Sequence, residues 1–161
     1  MGASQSDDAR AGREPLRQLD AVTRAAIESL RGIVNTDEAT TAWEMSLQAR
    51  AWNRRPVWRH CDLLPPNLLV EGGQLKAVID FGGAGVGDPA ADVIAAWSVF
   101  GESGRVTYRG ALDVDDGTWA RARGFALHQA LLIIPYYPET NPGFVAMAKR
   151  TVQEVVADLN A

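Results

Sequence analysis

Cysteine, histidine and lysine are all scarce in this chain, and each scarcity removes a class of chemistry. A single cysteine, Cys61, leaves no intrachain disulfide to form. The first residues carry no apolar leader, so a cytoplasmic location is expected. Two histidines, His60 and His128, are too few and too far apart for a zinc site. Only Lys76 and Lys149 are lysines, and arginine supplies the remaining basic residues. The net charge of −4 gives no basic surplus, which argues against a nucleic-acid partner. No apolar run approaches the length that crosses a membrane.

What is present fits one core. At 161 residues and 47% hydrophobic content, the simplest organisation is one domain over 13–161 behind a disordered leader at 1–12. Apolar residues recur at helical spacing from Pro15, with Leu19, Val22, Ala26, Ile27 and Leu30 on one stripe and Gly32 as the C-cap. A second helix, capped by Thr36 or Asp37, carries Trp43, Leu47 and Ala51 and runs to Trp52. Further helices are expected from Asp88-Pro89 through Phe100, from Arg105 to Leu112, and from Asp115 or Asp116 to Pro135. The last begins at Asn141-Pro142, with Val145, Val152, Val156 and Leu159 inward. The expected fold is therefore mainly α (α+β), a helical bundle with one small β-hairpin.

The chemistry concentrates in residues 57–97. A short apolar run ends at His60, and the chain then breaks at Asp62-Leu63-Leu64-Pro65-Pro66, where paired prolines forbid helix and central strand. Two strands follow, turning at Gly72-Gly73 and ending at Asp80. This hairpin folds Asp80 back beside Asn67, so Asp62, Asn67 and Asp80 meet at one rim. One carboxylate plus an Asn/Asp pair of hard oxygens suits Mg²⁺, which takes few protein ligands and completes its shell with phosphate and water. The glycines of 82–87 miss the dinucleotide fingerprint and read as a tight backbone path past the metal loop. Cys61 between His60 and Asp62 is no nucleophilic triad, because neighbours in an extended chain point to opposite faces. It is expected to be a buried, inert thiol.

An Asp followed five residues on by Asn, then Asp80-Phe81-Gly82, follows the order of a kinase catalytic loop and metal loop. His60-Cys61-Asp62-Leu63, Asn67, Val78-Ile79-Asp80-Phe81-Gly82 and Gly87-Asp88-Pro89-Ala90-Ala91-Asp92 together resemble the aminoglycoside phosphotransferase and choline kinase superfamily. Resemblance continues weakly from Trp119 to Asn141 and on to the C-terminus. It implies a protein-kinase-like C-terminal lobe that transfers the γ-phosphate of ATP or GTP to the hydroxyl of a small molecule, possibly an aminoglycoside. It further implies Asp62 as catalytic base or orienter, and Asn67 and Asp80 as Mg²⁺ and nucleotide ligands. His60, Asp88 and Asp92 would support the loop, Asp92 by bracing it. The family usually has Gly at the position of Cys61, and often His and Gly at those of Leu64 and Pro66.

The nucleotide lobe that such enzymes place first is not legible here: no glycine-bearing strand-turn-strand precedes His60, and neither lysine fits the nucleotide lysine. The chain alone is thus expected to be inactive, and a kinase-derived binding module or a lobe completed by another chain are the alternative readings. Apolar surface left uncovered is expected at Leu63, Leu64 and the tryptophan-rich segments, favouring a homo-oligomer. Tyr136, Tyr137 and Glu139, with Asp113, Asp115 and Asp116, are candidates to line a pocket for a cationic substrate.

Overall fold

The computed structural model describes residues 14–160, so the expected leader lies outside the described residues. Six α-helices and four short strands follow in the order α1 Asp20–Ser29, α2 Thr36–Leu47, β1 Val57–Arg59, β2 Leu68–Glu71, β3 Gln74–Val78, β4 Gly85–Gly87, α3 Ala95–Ser98, α4 Glu102–Leu112, α5 Asp116–Tyr136 and α6 Pro142–Leu159. The mainly helical expectation holds, with two small antiparallel ribbons where one hairpin was expected.

Helix α5 is the axis of the bundle. Trp119, Ala122, Phe125, Leu127, Ala130, Leu131 and Ile134 bury sides that cannot fit on one stripe. A helix apolar around most of its circumference must be enclosed. Helices α1, α2 and α6 and the turn Pro89–Asp92 enclose it. Trp97 of α3 packs on Trp119 with ring centroids 4.7 Å apart. Close approach to α2 depends on Gly124, where a Cβ would stand 2.8 Å from that of Ser46. In α6 the fully buried positions are Ala148, Thr151, Val152 and Val155, so Val155 rather than Val156 faces inward.

Side-chain caps start three of the six helices among the described residues. Asp115 accepts from the Thr118 N–H at 2.6 Å, and Asn141 caps α6 through the Phe144 N–H at 3.1 Å ahead of Pro142. The α2 cap is Asn35, through the Glu38 N–H at 3.2 Å, and not Thr36 or Asp37.

Three expected elements change form. Helix α2 stops at Leu47 instead of reaching Trp52: the Ala49 N–H bonds back to the Ser46 carbonyl in a tightened last turn, and the Arg50 carbonyl beyond it accepts from the Arg121 guanidinium of α5. The helix expected from Asp88 through Phe100 is a 3-10 turn at Pro89–Asp92 followed by the single-turn α3. Residues 85–87, read as glycine-rich loop, form β4 and pair antiparallel with β1 in the register Val57↔Gly87 and Arg59↔Gly85. Glycine is depleted from strands, so this second ribbon had no local signal.

The β2–β3 hairpin turns at Gly72 and Gly73, with φ of +58° and +75°. Positive φ at both central residues matches the right-handed twist of hairpin strands, and glycine adopts it without a Cβ clash. Both ribbons are apolar on their open faces: Trp58 is 80% exposed, and Phe81, Val70, Leu75 and Val86 are also exposed. Leu64 is instead buried in the core and Leu63 half-buried, while Trp43, Trp97 and Trp119 are buried. Much of the exposed apolar surface therefore sits on and beside the ribbons, with further exposed positions such as Ile33, Val106 and Tyr136 on or beside the helices, and Trp58 is the one exposed tryptophan. No helix among the described residues is long and apolar enough to cross a membrane.

Candidate active site

The loop after β1 is held from beneath by one carboxylate. Asp92 Oδ2 accepts from the His60 N–H and Oδ1 from the Cys61 N–H, each at 2.8 Å. Two charge-assisted bonds to consecutive backbone amides fix both position and direction of the chain there. Because Asp92 lies in the turn Pro89–Asp92 on the core, the loop takes its placement from the bundle.

Within the loop His60 acts as a crossbar. Its Nδ1 accepts from the Asp62 N–H at 3.3 Å and its Nε2 lies 2.8 Å from the Ile79 carbonyl. A ring nitrogen accepting on one side must carry its proton on the other, so Nε2–H donates to Ile79. That bond ties the loop after β1 to the segment leading into Asp80. Phe81 stands edge-on to the His60 ring at 4.6 Å.

Cys61 is buried with φ +69°, a left-handed conformation that costs an L-residue roughly 1–2 kcal/mol. Here lies the physical reason for glycine at the matching family position. Asp80 also has positive φ, +62°, and its Oδ1 accepts from the Gly82 N–H at 3.3 Å.

Asp62 and Asn67 are locked together. Asn67 Nδ2 donates to the Asp62 carbonyl at 2.9 Å and to Asp62 Oδ2 at 2.8 Å. The amide nitrogen is thereby committed to Asp62, and Oδ1 is left as the group's available hard oxygen. The Ile79 N–H donates to the Asn67 carbonyl at 3.0 Å, extending the β2–β3 ladder by one pair, Asn67 opposite Ile79, with Asp80 the next residue along.

Two participants were missed by the sequence reading. Gln129 Nε2 on α5 donates to Asp62 Oδ1 at 2.6 Å, so each carboxylate oxygen receives one side-chain amide. Arg121, also on α5, forms a two-pronged pair with Asp88, Nε to Oδ2 at 2.6 Å and Nη2 to Oδ1 at 3.1 Å. Asp88 Oδ1 additionally caps the Pro89–Asp92 turn through the Ala90 N–H at 3.0 Å. The only trace of either partner in sequence is a polar residue set among buried apolar positions of a long helix.

The substrate-pocket candidates do not come together. Asp115 caps the start of α5, Asp116 pairs with Arg109, and Asp113 ends α4. Tyr136 and Tyr137 close the other end of a 21-residue helix, which spans about 30 Å. One small-molecule pocket cannot be lined by both groups. Tyr137 instead packs edge-on between Tyr136 and Phe144. His128 is core: its Nδ1 lies 2.7 Å from Thr23 Oγ1, and burial pushes its pKa down to about 4.

Among the described residues no group of three His, Cys, Asp or Glu side chains could hold a metal by itself. An Asn67 and Asp80 pair of oxygens fits only an ion that draws most ligands from elsewhere, as Mg²⁺ does with phosphates and water.

Residues 1–125 match the model of the Phosphotransferase enzyme family (APH), a span that contains Asp62, Asn67, Asp80, Asp88 and Asp92 but stops short of Gln129. Searches of curated proteins and of solved structures gave no significant match. With the family model covering most of the chain and all four motif elements in order, the chain belongs to the Phosphotransferase enzyme family.

Proposed function

We propose that this lobe carries the catalytic and metal loops of an O-phosphotransferase that moves the γ-phosphate of ATP or GTP to a hydroxyl of a small cationic molecule of the aminoglycoside kind. The observation that carries the reading is the clamp of Asn67 on Asp62, which orients one carboxylate and leaves the Asn67 amide oxygen uncommitted. Asp62 would accept the hydrogen bond of the substrate hydroxyl, align the oxygen for in-line attack, and take its proton as the new P–O bond forms and the bond to the β,γ-bridging oxygen breaks, releasing the nucleoside diphosphate. Gln129 and Asn67 hold the two carboxylate oxygens in place while lone pairs on each remain for the hydroxyl. Asn67 Oδ1 and the Asp80 carboxylate would hold Mg²⁺. When bound, the ion supplies positive charge against the phosphate oxygens.

The exposed apolar ribbons favour a second element of this proposal, that catalysis requires another lobe to cover them, from a further chain or from more of the same polypeptide. Positioning accounts for most of the catalysis in phosphoryl transfer, and an exposed apolar surface such as Trp58, Val70 and Phe81 suits a covering partner. A thermal-shift screen against Mg²⁺-ATP, Mg²⁺-GTP and kanamycin-like aminoglycosides tests the reading. Stabilisation by a Mg²⁺-nucleotide that Asp80→Asn removes is expected, and an unaltered response in that variant would remove Asp80 from the site.

A further inference from the structure

A cavity of about 270 Å³ lies between the first described residues, the irregular segment after α2, and the β1–β4 ribbon. None of Asp62, Asn67 or Asp80 lines it, so it is a different place from the site above. Its charged lining is unbalanced. Arg17, Arg54, Arg59 and Arg121 stand against Glu14 and Asp88, and both Asp88 oxygens are already engaged by Arg121.

Arg59 is the decisive member. It is only 4% exposed, yet among the described residues no carboxylate lies within ion-pair distance of it. Its partners are the Asp88 carbonyl at 3.3 Å and the Val86 carbonyl at 3.2 Å, and its Nε is buried without an acceptor. A buried cation with no counter-charge is an expensive arrangement, since carbonyl dipoles replace only part of its hydration. The indole N–H of Trp52 is buried and unsatisfied in the same wall, with the guanidinium groups of Arg54 and Arg121 5.7 and 5.8 Å from the ring centre. Gly87 completes the cradle, because a Cβ there would come 2.4 Å from Arg59 Nη2.

We propose that this cavity binds a small organic carboxylate. The carboxylate would meet Arg59 and the Trp52 N–H, with Arg54 at the mouth and the apolar body against Leu16, Leu47 and Pro56. A planar carboxylate matches the fork of a guanidinium, and a flat apolar body suits an indole wall. At ~30 Å³ per water the space corresponds to about nine waters, more than enough to admit a body the size of benzoate. Both donors are covered as the chain stands, so docking includes an adjustment of Trp52, which is half-buried and outside any helix or strand.

The test is a titration of the full chain with sodium benzoate, benzyl alcohol and phenyl phosphate, followed by NMR of the Trp52 indole and Arg59 Nε–H resonances. Benzoate should shift both saturably at millimolar concentration, and benzyl alcohol should not. The exposed Arg54→Ala variant should weaken benzoate several-fold, and Gly87→Ala, which displaces the Arg59 guanidinium, should abolish the shifts while the chain still melts cooperatively. Absence of saturable shifts in the wild type, equal binding of benzyl alcohol, or binding of phenyl phosphate in place of benzoate would each overturn the proposal, whatever becomes of Gly87→Ala.

Discussion

Asn67 donates to Asp62 twice through one nitrogen, to the backbone carbonyl at 2.9 Å and to the side-chain Oδ2 at 2.8 Å. One amide thus sets both the turn and the direction of the carboxylate. With a nucleotide lobe supplied, Asp62→Asn should lower kcat by about 100-fold or more while substrate affinity stays within a few-fold, as removal of a group acting in the transition state requires. Steady-state kinetics decide it, and a variant with near-normal kcat takes Asp62 out of the proposed role.

Among the described residues Asp88 is the only carboxylate paired with the buried Arg121. Asp88→Ala should therefore cost about 3–5 kcal/mol in urea unfolding, since it leaves a cation in the core without its counter-charge. A loss below about 1 kcal/mol, the range of surface pairs, would show that the Arg50 and Thr118 oxygens suffice for Arg121.

At Cys61 the backbone should reverse the usual ranking of small residues. Alanine and glycine differ by a Cβ alone, and at φ +69° that Cβ is the liability. Cys61→Gly should be more stable than Cys61→Ala by about 1 kcal/mol. Equal stability of the two variants in chemical denaturation would argue that the loop relaxes out of the left-handed region.

His128 gives the fold a pH dependence whose sign is set by desolvation. Its folded pKa of about 4 lies below the ordinary 6.5, so the unfolded chain binds the proton first. The stability at stake is intact above pH 6.5 and is lost as pH falls from there towards 4, by about 3 kcal/mol. Subtracting the pH profile of His128→Gln from that of the wild type should isolate this slope. Parallel profiles would mean that the imidazole is hydrated when charged.

The isolated chain should show no phosphotransfer to kanamycin-like substrates and should self-associate through its ribbons. Trp58→Glu, which puts a charge on the most exposed apolar position of β1, should shift light scattering toward the monomer. A wild-type monomer that phosphorylates such a substrate would show that one lobe suffices.

What the sequence determined by itself was local. Asn141-Pro142 and Asp115 announced their helices because a cap bonds to an N–H two or three residues away, and Gly72-Gly73 announced its hairpin because positive φ is a property of single residues. The order of Asp62, Asn67, Asp80 and Asp92 was legible for the same reason, as each motif is a short run. Tertiary structure decided everything that joins distant segments. Gln129 reaches Asp62 across 67 residues and Arg121 reaches Asp88 across 33, and no periodicity encodes either meeting. The segment after α2 is tied to α5 by Arg121 reaching the Arg50 carbonyl across 71 residues, and β4 exists only because β1 offers its glycines a partner. A strand bond or a buried ion pair is stable only when the fold brings both halves together and excludes water, so neither half carries the information alone.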